Sequence, residues 1–210
     1  IDSTSGRAYN ARGISKNSLG DYSGAILDFD KAVSYKHPHS YYNRGSTYYK
    51  MLRYEDAIRD FTLSLKLNPG DADVYNDRGF TFYKINKYKE AMKNYDLALY
   101  YDSNHVFALT NRASLKEELN DYNGAINDYT TLIRIEPDDA QHYDDRGQLE
   151  DIIEQSEVAL LDHKKAIELN PNKAEYFFNF GDSYYYLNRY EDAISMYSKA
   201  IELDSNYKEA

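Results

Sequence analysis

The chain has 210 residues, a net charge of −10 and no cysteine. That charge argues against a nucleic-acid partner, which needs a basic footprint. The missing cysteine excludes disulfides, thiolate metal sites and a cysteine nucleophile.

The first residue is Ile with no signal-like apolar segment after it, which reads as a processed or excised piece of a longer protein. No apolar run reaches the roughly 18 residues of a membrane-spanning helix, so no membrane insertion is expected. The compartment stays open. From about residue 6 a pattern begins: Tyr9, Arg12, Gly13, Tyr22, Ala25, Phe29. It returns as Tyr41, Arg44, Gly45, Tyr54, Ala57, Phe61, and again as Tyr75, Arg78, Gly79, Tyr88, Ala91, Tyr95. The fourth copy reads Leu109, Arg112, Ala113, Tyr122, Ala125, Tyr129; the fifth Tyr143, Arg146, Gly147, Ser156, Ala159, His163. The sixth reads Phe177, Phe180, Gly181, Tyr190, Ala193, Tyr197. The small slot after the Arg recurs at spacings of 32, 34, 34, 34 and 34. Agreement of five slots over six copies marks a repeat protein. The repeats run over about 6–37, 38–71, 72–105, 106–139, 140–173 and 174–207, within one domain over 1–210.

Each repeat reads as two helices. Over 72–85, Tyr75, Gly79 and Phe82 share a helical face; over 88–99, Ala91, Tyr95 and Ala98 do so. Between the helices Gly20, Asn86, Asn120 and Asn188 suit a left-handed cap, with Leu52 and Glu154 as exceptions. Pro69, Ser103, Pro137, Pro171 and Ser205 close the repeats. Glycine weakens a helix by roughly 1 kcal/mol relative to alanine, so its recurrence needs a reason. The reason expected here is close approach of the two backbones, with each glycine facing the second-helix alanine. The two-residue deficit of the first spacing lies in the joint "KHPHS". In repeat five Glu150, Ser156 and His163 replace aromatics, which predicts looser packing and a change of curvature. "NYKEA" looks like the start of a seventh repeat, and no polar capping helix follows, which would leave that end open to self-association.

One residue before the last aromatic slot come Asp28, Asp60, Asn94, Asp128, Asp162 and then Met196. Where Arg becomes Phe180, Asp becomes Met196. Structural ion pairs Arg12–Asp28, Arg44–Asp60, Arg112–Asp128 and Arg146–Asp162 follow, with an apolar Phe180–Met196 contact and another acceptor for Arg78. The rival reading is that these arginines line a groove and clamp an acidic ligand.

The aromatic, Gly, Tyr, Ala, aromatic and Pro slots at 34-residue spacing resemble the tetratricopeptide repeat family over about residues 6–207. The resemblance implies an all-α, right-handed superhelical solenoid of six helix-turn-helix repeats, first helices lining the concave side, and a protein or peptide as partner. On that face the slot before the Arg reads Ala11, Asn43, Asp77, Asn111, Asp145, Asn179. It is similar to the asparagine ladders of peptide-binding members, whose amides both donate and accept. Tyr42, Tyr49, Phe80 and Tyr83 stand beside it with Lys50 and Lys84, and Phe107, Phe178, Tyr185 and Tyr186 join them. Glu117, Glu118, Asp144 and Asp151 make the later repeats acidic. Residues 1–105 carry 15 Lys/Arg and 13 Asp/Glu, and residues 106–210 carry 10 and 22, so a ligand would meet a charge gradient. The slot after the first aromatic (Asn10, Tyr42, Asn76, Thr110, Asp144, Phe178) holds no lysine, which argues against a clamp for chaperone tails.

No glycine-rich phosphate loop and no nucleophile–base set is present. His37 and His39 flank Pro38 without a third ligand nearby. No enzyme activity, cofactor or metal is expected. The chain reads as a scaffold that grips an extended segment or helix of a partner; the alternative is a self-assembly module stacking through repeat ends.

Overall fold

The computed structural model describes residues 3–204. Twelve α-helices and no strand occur among them. The chain divides into two units, one through Ala108 and one from Leu109. The first holds α1 (Ser3–Ser18), α2 (Tyr22–Ser34), α3 (Ser40–Lys50), α4 (Tyr54–Leu67), α5 (Ala72–Lys84) and α6 (Tyr88–Tyr101). α7 (Val106–Glu118) crosses the boundary. The second unit continues with α8 (Tyr122–Ile135), α9 (Ala140–Ile152), α10 (Ser156–Leu169), α11 (Ala174–Tyr186) and α12 (Tyr190–Leu203). Ser205 and "NYKEA" lie outside the described residues.

Within each unit consecutive helices pair as hairpins, and hairpins stack: α2 on α3, α4 on α5, α8 on α9, α10 on α11. First helices also meet directly, α1 with α3, α3 with α5, and α9 with α11. Each unit is thus a short helical-repeat solenoid. Asp21, Asp71, Asp121 and Asp139 cap helix starts by accepting from Gly24, Val74, Gly124 and Gln141 backbone N–H groups, which satisfies donors a helix leaves open. The short first spacing is absorbed at the joint: α3 has 11 residues where α5 has 13, and Lys36 closes α2 at φ 58°.

The turn inside every hairpin is left-handed. Gly20, Asn86, Asn120 and Asn188 adopt φ between 58° and 81°. Leu52 and Glu154 adopt 59° and 63°, so they are exceptions in residue type but not in conformation. Hairpin packing imposes the turn regardless of local preference, at a steric cost for a side chain with Cβ. Leu52 is 70% exposed, so Leu52→Gly removes this strain without opening the core. It is expected to stabilise the protein by about 1 kcal/mol, read as a raised urea midpoint.

Second-helix slots supply much of the core, joined by first-helix residues such as Val74, Leu115, Leu149 and Tyr176. Ala25, Ala57, Ala91, Ala125 and Ala159 are fully buried, as are Phe29, Phe61, Tyr95 and His163. One expectation is corrected here. The repeat glycines face the second-helix aromatic rather than the alanine. A Cβ at Gly79 would lie 2.8 Å from Tyr95 Cε1, and one at Gly181 would lie 2.5 Å from Tyr197 Cε1. A ring lies edge-on against each glycine, and the missing Cβ is what admits it. At Gly45 the alanine also approaches, through the Ala57 carbonyl oxygen at 3.3 Å.

Repeat five is not loosely packed. Glu150, Ser156 and His163 are all buried. A polar network, described below, fills the volume that rings fill elsewhere.

Candidate functional site

The arginines dominate the pattern. Arg12, Arg44, Arg112 and Arg146 each make a forked pair with the aspartate sixteen residues on. In repeat two, Nε donates to Asp60 Oδ2 at 2.6 Å and Nη2 to Asp60 Oδ1 at 2.8 Å. Hydrogen bonding from Arg12 holds the Asp28 carboxyl down at about 2. Arg78 donates to Asn94 Oδ1 at 2.8 Å and also to another acceptor, Thr62 Oγ1 at 3.0 Å. Burial lowers its pKa, since no carboxylate supports the charge. Phe180, in the same slot, lies against Tyr184 at 4.7 Å.

Sequence reasoning missed the third arm of these arginines. Arg44 Nη1 reaches Asp30 in α2, Arg78 Nη1 reaches Thr62 in α4, and Arg146 Nη1 reaches Thr130 in α8. Each guanidinium therefore joins its own hairpin to the preceding one. The tyrosine one turn earlier lies under it: Tyr9, Tyr41 and Tyr75 rings are 5.4, 5.6 and 5.4 Å from the guanidinium carbon. Lys16 and Lys116 add second cations to Asp28 and Asp128 at 2.9 and 2.7 Å. Their signal was the Gly at 24 and 124, whose carbonyls accept from the same lysines.

The ladder residues also have structural partners. Asn43 Nδ2 donates to Asn10 Oδ1 at 2.9 Å, and Asn179 Nδ2 donates to Asp144 Oδ2 at 2.9 Å. Both bonds cross from one first helix to the next. Asp77 accepts from Tyr42 and Asn76, and Asp145 accepts from Gln141. Burial raises the Asp77 pKa and pushes Asp145 up to about 6. Asn111 is half-buried. Tyr42, half-buried with its hydroxyl on Asp77, is part of the joint between repeats.

What remains on the first-helix face differs between the units. In the first unit a cleft of about 250 Å³ is lined by Ser46, Tyr49, Lys50, Asp77 and Phe80. Its aromatics form a row: Tyr49 to Phe80 at 5.9 Å, Phe80 to Tyr83 at 6.2 Å. Lys84 Nζ lies 4.7 Å over the Phe80 ring, and Lys50 is exposed. In the second unit a cleft of about 650 Å³ is lined by residues of α9 and α11, among them Asp151, Ile152, Asn179, Asp182 and Tyr186, together with Glu154 and Ser156.

Behind that second cleft lies the repeat-five network. His163 is fully buried, with Nδ1 3.0 Å from Asp144 Oδ1 and Nε2 3.4 Å from Asp151 Oδ2. Burial alone would lower the imidazole pKa, but the two carboxylates outweigh it and hold it at about 9. Asp144, expected on the ligand face, is instead fully buried, because the histidine in the aromatic slot needs a counter-charge. Gln148 Nε2 and Asn179 Nδ2 complete Asp144 Oδ2. Glu117 accepts from the Tyr129 hydroxyl at 2.9 Å and has its pKa raised by burial. Elsewhere, Glu136, Asp139 and His142 bring one ligand atom each to within 4.8 Å of one another. His142 Nε2 is 3.0 Å from Glu136 Oε2, a contact that accounts for this set without an ion. No helix among the described residues is long and apolar enough to cross a membrane.

Comparisons with known proteins follow the hairpins. Tetratricopeptide repeat models match residues 38–71, 72–105 and 108–139, and a TPR repeat model matches 181–210. No curated protein matches the sequence. Among solved structures, the C-terminal part of a TPR repeat-containing protein from Cytophaga hutchinsonii superposes with TM-score 0.82 at 20% identity, covering 93% of this chain and 79% of that one. YrrB superposes with TM-score 0.76 at 21% identity, covering 86% and 94%. MamA from Desulfovibrio magneticus RS-1 superposes with TM-score 0.73 at 20% identity, covering 81% and 97%. At these identities the likeness speaks for the fold. Together with four stretches matched by repeat models, it means that the chain belongs to the tetratricopeptide repeat family.

Proposed function

We propose that this protein is a non-catalytic scaffold that binds an extended segment of a partner protein on its first-helix faces. Proteins of the family bind proteins or peptides, and YrrB is described as having an unusual peptide-binding site. The observation that carries the reading is chemical. Once the arginines and the asparagines 43 and 179 are assigned to joints between helices, the first-helix faces still hold aromatic and charged groups around two clefts. The first unit offers Tyr49, Phe80 and Tyr83 rings with Lys50 and Lys84, a surface for apolar or acidic side chains. The second offers carboxylates, a surface for basic ones. The six repeats are taken to act as one interaction domain. The net charge of −10 keeps nucleic acid out of the proposal. Self-assembly through "NYKEA" rests on residues outside those described.

The test is capture from a random peptide library. The wild-type chain is expected to enrich a defined set, and Tyr49→Ala with Phe80→Ala to lose most of it while keeping the wild-type helical spectrum. Capture unchanged by the double substitution, or no enrichment at all, overturns the reading. Asn43→Ala and Asn179→Ala are expected to lower stability by about 1 kcal/mol each, as lost hydrogen bonds do.

A further inference from the structure

Stacking between hairpins follows one template. α3 lies on α2, α5 on α4, α9 on α8 and α11 on α10. The arginine of the later helix reaches back with Nη1, from Arg78 to Thr62 Oγ1 and from Arg146 to Thr130 Oγ1. Each threonine is set for this by donating its own proton four residues back, to the Ile58 and Ile126 carbonyls. Its oxygen is then left to accept.

Two helices each carry half of this template without a partner for it. On α12, Ser198 stands in the threonine slot and donates to the Ile194 carbonyl at 2.7 Å, as the threonines do. No donor reaches its oxygen among the described residues. Ile194 is 64% exposed and Ile201 is exposed as well, although their slots are half-buried or buried in all five earlier second helices. The Tyr197 ring is half-buried where its five counterparts are buried. On α1, Arg12 gives Nε and Nη2 to Asp28, and its Nη1 has no partner among the described residues. Its side chain is 60% exposed, against 16% for Arg44 and 20% for Arg146. Ala8 and Ser15, one turn to either side, are exposed too, and both slots are buried in all five later first helices. Charge matches across the two helices. α1 holds Arg7, Arg12 and Lys16 and no acid, whereas α12 holds Glu191, Asp192 and Glu202 with Lys199 as its one base.

We infer that copies of this chain stack head to tail, α1 of one copy on α12 of another, laid as α5 lies on α4 and with Arg12 Nη1 donating to Ser198 Oγ of the partner copy. The contact continues a joint that the chain already makes between its own hairpins. It covers Ile194, Tyr197 and Ile201 on one side and gives the third arm of Arg12 an acceptor on the other. A second copy fits better than an unrelated helix, because both halves of the joint and both signs of charge are present on one chain. The two surfaces differ, so the interface is heterologous and each copy keeps one face for the next. Neither stripe lines either cleft, so stacking and peptide capture are separable.

Sedimentation velocity of the full chain over a concentration series tests this. The wild-type mass is expected to grow from one copy to two or more, and to fall back as salt is raised, because the charges are exposed. Ala8→Glu sets bulk and an acid in the α1 stripe, facing the acidic α12. Ile194→Asp replaces an apolar contact of the α12 stripe with a carboxylate too short to reach the arginines. Both positions are exposed, so melting temperatures should change little. Each variant alone should stay monomeric. Mixed, the two should form dimers of one copy of each and nothing larger, since the first still offers α12 and the second still offers α1. Ser198→Ala should weaken wild-type association severalfold at an unchanged melting temperature. A mass of one copy at every concentration overturns the inference and leaves α12 to a helix of another protein. Growth that either acidic substitution leaves untouched overturns it too, as does a mixture that stays monomeric.

Discussion

Replacing Asp60 with leucine is expected to destabilise the protein by about 3–5 kcal/mol, the range for stranding a buried charge. Arg44 and Asp60 side chains are 16% and 3% exposed, and the guanidinium makes two of its three hydrogen bonds to Asp60. The hydrogen bonds it donates to Asp60, and then the one to Asp30, raise the Arg44 pKa further, against burial. The guanidinium therefore stays charged and cannot escape by losing its proton. Without Asp60 it keeps Asp30, which is half-exposed, and the ring of Tyr41. The double variant Arg44→Leu/Asp60→Leu is expected to recover most of the loss. Repeat six already carries Phe180 and Met196 in these two slots, both half-buried, so the hairpin accepts an apolar pair there. Urea denaturation of the four proteins gives the coupling energy directly. Losses that simply add would mean that Arg44 is not held by Asp60. Repeat two suits the cycle better than repeats one and four, where Lys16 and Lys116 would still hold the aspartate.

The second large effect is a dependence on pH. His163 titrates at about 9 in the folded chain against roughly 6.5 unfolded. The native state thus holds this proton more tightly. The stability it contributes is complete below about pH 6.5 and is lost as pH rises through 9. On the order of 3 kcal/mol is at stake, from the size of the shift. Burial, then the Asp162 charge, pushes Glu150 up to about 7, and burial pushes Asp145 up to about 6. These are acids with raised values, so they too favour the protonated native state and lose stability as pH rises through 6 to 7. All three groups act in one direction and lie in the second unit. Hydrogen exchange at α9 and α10 should therefore speed up from pH 6 to pH 9, after correction for the intrinsic rate. In the first unit Asp28 has the opposite sign: its contribution is present above about pH 4 and lost as pH falls through 2. His163→Phe restores the aromatic slot and should remove the histidine's share of the alkaline loss. At pH 6 it should cost about 3–5 kcal/mol, because Asp144 and Asp151 lose their cation. Stability that stays level from pH 6 to 9 in the wild type would show that the imidazole is not held charged.

Particular residues show why parts of this protein could be read without coordinates. The hairpins were legible because Ala25 to Ala193 and Phe29 to Tyr197 recur at a fixed spacing, and a fixed spacing leaves few ways to bury the same residues. The Arg–Asp pairs were legible because one repeat breaks both slots together. The contacts between repeats were not. Asp30, Thr62 and Thr130 look like ordinary surface positions of a second helix until stacking brings the next arginine over them. Asn43 and Asn179 likewise read as ligand-facing amides, and stacking turned them to Asn10 and Asp144.

The helical hairpin, its repetition, the pairing of its two helices and the acidity of the later half can be read from residue order alone, because these follow from short-range periodicity and from composition. Helix packing settled that the glycines make room for rings, that Leu52 and Glu154 take a left-handed turn, and that His163 sits as a buried cation between Asp144 and Asp151. It also decided that Asp151 keeps one buried oxygen without a donor. The physical reason is common to all four. Each depends on the space and the polar partners that remain after neighbouring helices have packed, and these exist only once every other group has been placed.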